Sequence, residues 1–75
     1  MNLTSISVGA KVRIIDLQEV NKLVRRRLID LGIMEGSIIS IKKTLPFGGP
    51  YTIEACGQRI AIRRREAQLI GVEAA

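Results

Sequence analysis

Five short stretches rich in aliphatic residues follow the pattern of half-buried β-strands. The first stretch, 11–15, places Val12 and Ile14 on one face. The other four stretches are 37–43, 51–55, 59–63 and 69–72. The predicted inward residues are Ile39 and Ile41 in the second strand, Tyr51, Ile53 and Ala55 in the third, and Ile60 and Ile62 in the fourth. The opposite face of the second strand then holds Ile38, Ser40 and Lys42.

A different period, that of an amphipathic helix, lies between the first and second strands. The stripe predicted to be buried, at about 100° per residue, consists of Val20, Val24, Leu28 and Leu31. Asp16 followed by Glu19 resembles a capping box, while Asn21 is a rival N-cap. The sequence therefore leaves the first residue of the helix open between positions 17 and 21.

The end of the helix is better defined than its start, because a glycine follows the last apolar position. Gly32 can take the left-handed conformation of a C′ residue. Leu28 and Ile33 would then occupy the two positions that touch in a Schellman motif. We therefore predict that Gly32 ends the helix and turns the chain toward the second strand.

Turn residues separate the remaining strands. Gly36 suits a turn with positive φ, and the proline- and glycine-rich segment 46–50 predicts an exposed loop. Gly57 and Gln58 fit a two-residue type II′ turn between strands three and four, and 64–68 fits one helical turn. Five short antiparallel strands in so short a chain indicate a mainly β fold, closed into a small barrel. Before the first strand, a lead-in segment is expected to pack through Leu3, Ile6 and Val8.

Composition limits the chain to one domain, residues 1–75, that is soluble and has no covalent cross-link. Hydrophobic residues make up 47% of the sequence, enough for a dense aliphatic core in a small domain. The single Cys56 cannot form an internal disulfide, which suits a reducing compartment. No stretch approaches the ~20 apolar residues of a membrane span, and Met1 to Ser5 lack the features of a secretory signal. The net charge of +5 favours an acidic or anionic partner surface.

Several motifs in this order resemble the FeoA family, small cytoplasmic companions of the FeoB ferrous iron permease. The matching residues are Arg26-Arg27-Leu28-x-x-Leu31-Gly32, Gly36, Gly49-Pro50, Gly57, and Arg63-x-x-Glu66-Ala67-x-x-Ile70-x-Val72. The resemblance runs over about residues 3 to 72, and the order and spacing of these residues carry it. Glu35 stands where the family often has proline, which makes that turn less rigid.

The resemblance implies an SH3-like barrel with the helix inserted after the first strand. It also implies a non-enzymatic role in ferrous iron uptake, through binding of the cytoplasmic GTPase domain of FeoB. Such a protein is expected in the cytoplasm, and at the periphery of the inner membrane through its partner. Related domains occur at the C-terminus of metal-dependent transcriptional repressors, so a regulatory module of that type is the alternative.

Candidate contact residues come from the helix and from the loop before strand three. They are Arg25, Arg26, Ile29, Phe47 and Tyr51. Ile29 lies beside the arginines on the outward side of the helix, and Arg26 can pair with Asp30 one turn later. We expect Phe47 to fold back onto the core, although an exposed Phe47 would be a natural interface anchor.

The arginine runs 25–27 and 63–65 are otherwise expected to be solvated faces. If the two runs lay together, an acidic partner would be more strongly favoured, but the sequence does not place them relative to each other.

Other chemistries lack the residues they need. With no His, one Cys and scattered carboxylates, we predict no metal site, cofactor or catalytic residue. The segment around Gly48 and Gly49 lacks the spacing of a phosphate-binding loop. Phe47 and Tyr51 are the only aromatics, too few to stack nucleic acid bases or to line a groove for proline-rich peptides.

Overall fold

One antiparallel sheet holds all five strands of the structure, a computed structural model that describes residues 1–75. The elements are, in chain order, a 3₁₀ turn at Leu3–Ser5, β1 at Lys11–Asp16, α1 at Lys22–Asp30, β2 at Ile38–Thr44, β3 at Tyr51–Ala55, β4 at Gln58–Ile62, α2 at Arg64–Ala67 and β5 at Gly71–Ala74. The predicted mainly β fold is confirmed, with a helix between β1 and β2 and a short helix before β5.

The sheet is curled but does not close, so the expectation of a closed barrel was wrong. The strand order is β4-β3-β2-β1-β5, which leaves β4 and β5 as the two edges. Side chains join α1 to β4 instead. Arg27 Nη2 donates to the carbonyl of Ala61 at 3.4 Å, and Gln58 Nε2 donates to the carbonyl of Leu31 at 2.8 Å. These two hydrogen bonds place α1 beside β4, one of the two edges of the sheet.

The core contains every strand residue that the alternation predicts to face inward, together with residues of the helices and connecting segments. Its seventeen buried residues are Leu3, Val12, Ile14, Leu17, Val20, Leu28, Ile33, Ile39, Ile41, Tyr51, Ile53, Ala55, Ile60, Ile62, Ala67, Ile70 and Val72. Burial of each large aliphatic side chain contributes about 1.5–3 kcal/mol to the stability of the fold. The cluster also includes Leu28 of α1 and Ala67 of α2, so both helices pack on the sheet through it. Val24 and Leu31, from the predicted helical stripe, are half-buried and pack against it. Val8 is exposed, contrary to expectation.

Asn21 settles where α1 begins. Its Oδ1 accepts a hydrogen bond from the amide of Leu23 at 2.8 Å, as an N-cap does. Asp16 Oδ1 instead accepts from the amide of Gln18 at 2.8 Å, which forms a local turn at the end of β1. Val20, buried against the core, therefore precedes the helix.

The predicted helix stop at Gly32 is confirmed in detail. Gly32 has φ of 83°, in the left-handed region. The amide of Ile33 donates to the carbonyl of Leu28 at 2.8 Å, and the amide of Gly32 donates to the carbonyl of Ile29 at 2.9 Å. These are the two hydrogen bonds of a Schellman motif. Leu28 and Ile33 are both buried, so the hydrophobic contact of the motif forms part of the core.

Two boundaries differ from the predicted ones. The β3–β4 turn consists of Cys56 and Gly57, with φ of 54° and 77°. Positive φ at both central residues is typical of type I′ rather than type II′, and Ala55 pairs with Gln58 across the turn. β5 begins at Gly71 rather than at residue 69, because the amide of Ile70 still bonds to the carbonyl of Ala67 at the end of α2.

Ser40 is buried, although it lies on the outer face of β2 with Ile38 and Lys42. Its register partners are Lys11 on β1 and Glu54 on β3. A small side chain between two longer ones on a sheet face is shielded from solvent by them.

Candidate partner-binding site

The outward side of α1 combines apolar and basic side chains. Leu23 is 79% exposed and Ile29 is 47% exposed, and Arg26 points to solvent between them. The structure has no ion pair between Arg26 and Asp30, so that predicted contact was wrong. Because Arg26 has no acidic partner on its own chain, its charge is available to another molecule.

Arg25 and Ile29 lie on one flank of this helix and line the same shallow hollow. The hollow measures about 330 Å³ and is also lined by Leu17, Gln18, Met34 and Glu35. Arg25 Nη2 donates to the carbonyl of Gln18 at 2.9 Å, while its Nε is buried without an acceptor. Arg25 is therefore tied to the body of the protein more firmly than Arg26.

A groove of about 450 Å³ follows the other flank of α1, between the helix and β4. Its lining consists of Val24, Arg27, Leu28, Pro50, Ile60, Ala61, Ile62, Arg63 and Glu66. Apolar side chains dominate this lining, and one arginine from each of the two basic runs contributes to it. The structure thus brings Arg27 and Arg63 together, which the sequence left open.

Phe47 lies at the tip of the β2–β3 loop and is fully exposed, so the expectation that it folds back onto the core was wrong. The loop closes on itself instead. The amide of Gly49 donates to the carbonyl of Pro46 at 3.3 Å, and Gly49 lies against Leu45 so closely that a Cβ there would be 2.7 Å from Leu45 Cβ. Phe47 has φ of 60°, and this left-handed turn directs its ring outward.

Tyr51 is buried, at 4% exposure, and it positions an arginine rather than facing solvent. Its hydroxyl accepts a hydrogen bond from Arg64 Nη1 at 3.1 Å. The guanidinium of Arg64 also lies 5.0 Å from the centroid of the Tyr51 ring, within the range of a cation–π interaction. Sequence reasoning missed Arg64, because only the tertiary fold brings α2 over the start of β3.

A basic hollow of about 390 Å³ lies beside the loop tip. It is lined by Gly48, Pro50, Arg63, Arg64, Arg65 and Gln68, none of them hydrophobic. Arg65 forms an ion pair with Glu66 at 3.7 Å, whereas Arg63 and Arg64 have no carboxylate partner. The run 63–65 is therefore more than a solvated face, because it forms one wall of a concave surface with excess positive charge.

Cys56 and the carboxylates do not gather into a group of three or more potential metal ligands. Cys56 lies in the β3–β4 turn, where its Sγ is 3.6 Å from the carbonyl oxygen of Gly32. Neither helix is long and apolar enough to cross a membrane.

Comparison with known proteins matches this fold to one family over almost the whole chain. The model of the FeoA domain family matches residues 1–74. The FeoA protein of Chlorobium tepidum, solved by NMR, is 30% identical and superposes with a TM-score of 0.91. The match covers 99% of this chain and 70% of that one.

Two more distant structures share the fold alone. A Stenotrophomonas maltophilia FeoA in complex with zinc, described as a prokaryotic SH3 domain protein, is 23% identical with a TM-score of 0.72, over 97% of this chain and 89% of that one. A manganese-dependent transcriptional repressor is 16% identical with a TM-score of 0.86, over 100% of this chain and 41% of that one. The architecture is thus SH3-like, and it occurs as a separate protein and as part of longer regulators.

Proposed function

The chain belongs to the FeoA family, and from that premise we propose that it is a non-enzymatic accessory protein of ferrous iron transport. We propose that it docks on the cytoplasmic GTPase domain of a FeoB-type permease and modulates it. Family membership supports the link to ferrous iron transport. The chain has no His, and its one Cys lies exposed in a turn, which supports a role in binding rather than catalysis.

The observation that carries the docking proposal is the exposed face of α1. Leu23 and Ile29 present aliphatic surface to solvent beside Arg25 and Arg26. Protein interfaces commonly combine apolar side chains with arginine, which contributes both charge and stacking surface. A partner that offers aliphatic side chains and carboxylates would bury Ile29 and pair with Arg26.

The groove beside α1 extends this surface toward β4. Its apolar floor includes Leu28 and Ile60, and Arg27 and Arg63 provide positive charge. An apolar segment with acidic flanks fits that distribution. Tyr51 takes no direct part in this contact, because its ring is buried beneath Arg64.

The test is titration of the chain against the permease's isolated GTPase domain, without nucleotide, with GDP and with a non-hydrolysable GTP analogue. Full-length permease in detergent completes the set. We expect association in at least one nucleotide state, weakened about tenfold by Ile29→Asp, because an interface residue that turns charged loses its apolar contact. Ile38→Asp is the matched control, since Ile38 is exposed to a similar degree on β2. Absence of association in every state would refute the docking proposal.

The alternative is a regulatory module related to metal-dependent repressors, and the shared fold is the observation in its favour. At 16% identity this likeness shows the fold alone. Such a module would act with a DNA-binding domain, so the test is whether the chain alters sequence-selective DNA binding by a repressor. Affinity for DNA that depends only on salt would count against it.

A further inference from the structure

The loop at residues 45–50 is apolar throughout, although it lies on the surface. Its sequence, Leu-Pro-Phe-Gly-Gly-Pro, contains no side chain that carries a charge or forms a hydrogen bond. Phe47 at its tip is fully exposed, and Leu45 is partly exposed. A projecting apolar tip of this kind is a small exposed patch, and such patches commonly mark surfaces that lose contact with water on binding.

Unpaired cations surround the base of this loop. Arg63 and Arg64 line the basic hollow together with Gly48 and Pro50 of the loop, and neither has a carboxylate partner. Lys43, exposed near the end of β2, precedes Leu45 by two residues and is likewise without an acidic partner. The apolar tip therefore stands within a region of positive charge.

Arg64 is held in place before any ligand arrives. Tyr51 fixes its guanidinium through the 3.1 Å hydrogen bond and the stacked ring. Its Nε is buried without an acceptor close to Gly48, where a Cβ would lie 3.8 Å away. A guanidinium fixed in this way loses less side-chain entropy on binding an oxyanion than a free arginine does.

We propose that the loop 45–50 and the arginines 63–65 form a docking surface for an anionic phospholipid bilayer. The Phe47 ring enters the boundary between head groups and acyl chains, where aromatic side chains are favoured. The arginines and Lys43 contact lipid phosphates around it. One apolar anchor combined with a basic patch gives reversible binding, since neither signal suffices alone.

The placement of the apolar tip favours a bilayer over other anions. A free phosphate would bind the arginines without using Phe47. A single-stranded nucleic acid would need several stacking aromatics, and Phe47 is the only exposed one. Arg63 and Pro50 also line the groove beside α1, so the lipid surface adjoins the proposed protein-docking surface.

The test is cosedimentation of the full chain with vesicles of phosphatidylcholine alone, or with about one-third phosphatidylglycerol. We expect binding to the anionic vesicles only, weakening as salt rises. Arg63→Gln and Arg65→Gln should each lower the affinity about fivefold, and Phe47→Ser at least as much. Arg59→Gln and Val8→Ser, exposed residues on other elements, are matched controls that should leave binding unchanged. The replaced side chains are exposed, so the variants should fold.

Insertion of the loop tip into the bilayer can be measured separately by fluorescence, because the chain has no Trp and a single introduced Trp reports only its own position. Phe47→Trp should show a blue shift of its emission on anionic vesicles and none with soluble glycerol phosphate. Equal binding to neutral vesicles, or binding without a blue shift, would overturn the proposal. Tighter binding to glycerol phosphate or to a single-stranded oligonucleotide would overturn it too. Because the vesicles contain no permease, this experiment tests the lipid-binding proposal separately from the proposal of docking on the permease.

Discussion

Two reversals of the chain use the same left-handed backbone but place the neighbouring apolar side chain in opposite environments. At the end of α1, Gly32 has φ of 83° and the next residue, Ile33, is completely buried. At the tip of the β2–β3 loop, Phe47 has φ of 60° and its own side chain is completely exposed. The first reversal directs an aliphatic side chain into the core, and the second directs an aromatic one into solvent.

The difference is that side-chain packing stabilises the first reversal and does not stabilise the second. Glycine adopts the left-handed conformation without a Cβ clash, and the burial of Ile33 stabilises the fold further. Phenylalanine adopts it at a cost of about 1 kcal/mol, and the exposed ring gains nothing from packing. This combination of a backbone cost and an exposed ring is what the lipid-docking proposal for Phe47 requires.

The largest effect should follow from removing the side chain that the first reversal buries. Ile33→Ala should lower the free energy of unfolding by about 2–5 kcal/mol, because it leaves a cavity in a core with few other residues to fill it. Urea unfolding measures the change. Ile38→Ala, on the exposed side of β2, is the control and should cost far less. Similar losses in both variants would mean that Ile33 does not anchor the reversal.

Replacing the glycine itself tests the backbone rather than the packing. Gly32→Val should cost about 1–2 kcal/mol, because a β-branched residue is strained at positive φ. Space is not the obstacle, since a Cβ at Gly32 would lie 3.7 Å from Cys56 Sγ, an ordinary contact. Gly32→Asn, which tolerates this conformation better, should cost about half as much in urea unfolding. If Gly32→Val and Gly32→Asn lowered the free energy of unfolding equally, the cause would be steric contact of the added side chain rather than backbone strain.

On the side of the loop, Tyr51→Phe should cost about 1 kcal/mol by removing the acceptor for Arg64 Nη1 while the ring remains. The ring still packs among the core residues, so no cavity forms. Urea unfolding measures the loss, and Arg64→Lys, which keeps the charge but not the planar stack, provides the comparison. An unchanged free energy of unfolding for Tyr51→Phe would show that the hydroxyl does not hold Arg64.

The sequence predicts the first reversal fully because its determinants are local. Gly32, Leu28 and Ile33 lie within six positions, and the hydrogen bonds of the motif join only those neighbours. The buried faces of the strands were predictable for the same reason, since alternation is a local pattern. The position of the Cys56–Gly57 turn was not predictable in this way, because glycine fits either central position of a two-residue turn. The pairing of Ala55 with Gln58 across the sheet determines which two residues form the turn.

The second reversal and the candidate site depend on contacts between distant residues. Whether Phe47 turns inward depends on how the loop closes, which the contact between Leu45 and Gly49 decides. Arg27 and Arg63 line one groove only because α1 lies along β4, as the hydrogen bond from Arg27 to Ala61 shows. The sequence pattern within each arginine run therefore does not predict where the other run lies.

The smallest expected effect is a gain, and it distinguishes the two reversals most directly. Phe47→Asn should raise the free energy of unfolding by about 0.5 kcal/mol, because asparagine adopts positive φ more readily and no packing is lost. Urea unfolding measures the gain, with Val8→Asn as an exposed control that should show none. A loss of stability would mean that the Phe47 ring supports the loop.

The same variant should bind anionic vesicles more weakly, since the loop keeps its shape but loses its apolar tip. A chain that is more stable without Phe47 and yet binds lipid less well would show that this residue is kept for contact. The corresponding substitution at the first reversal, Gly32→Asn, should lower stability and leave vesicle binding unchanged. Vesicle binding that falls for Phe47→Asn and is unchanged for Gly32→Asn would assign the contact role to the second reversal alone.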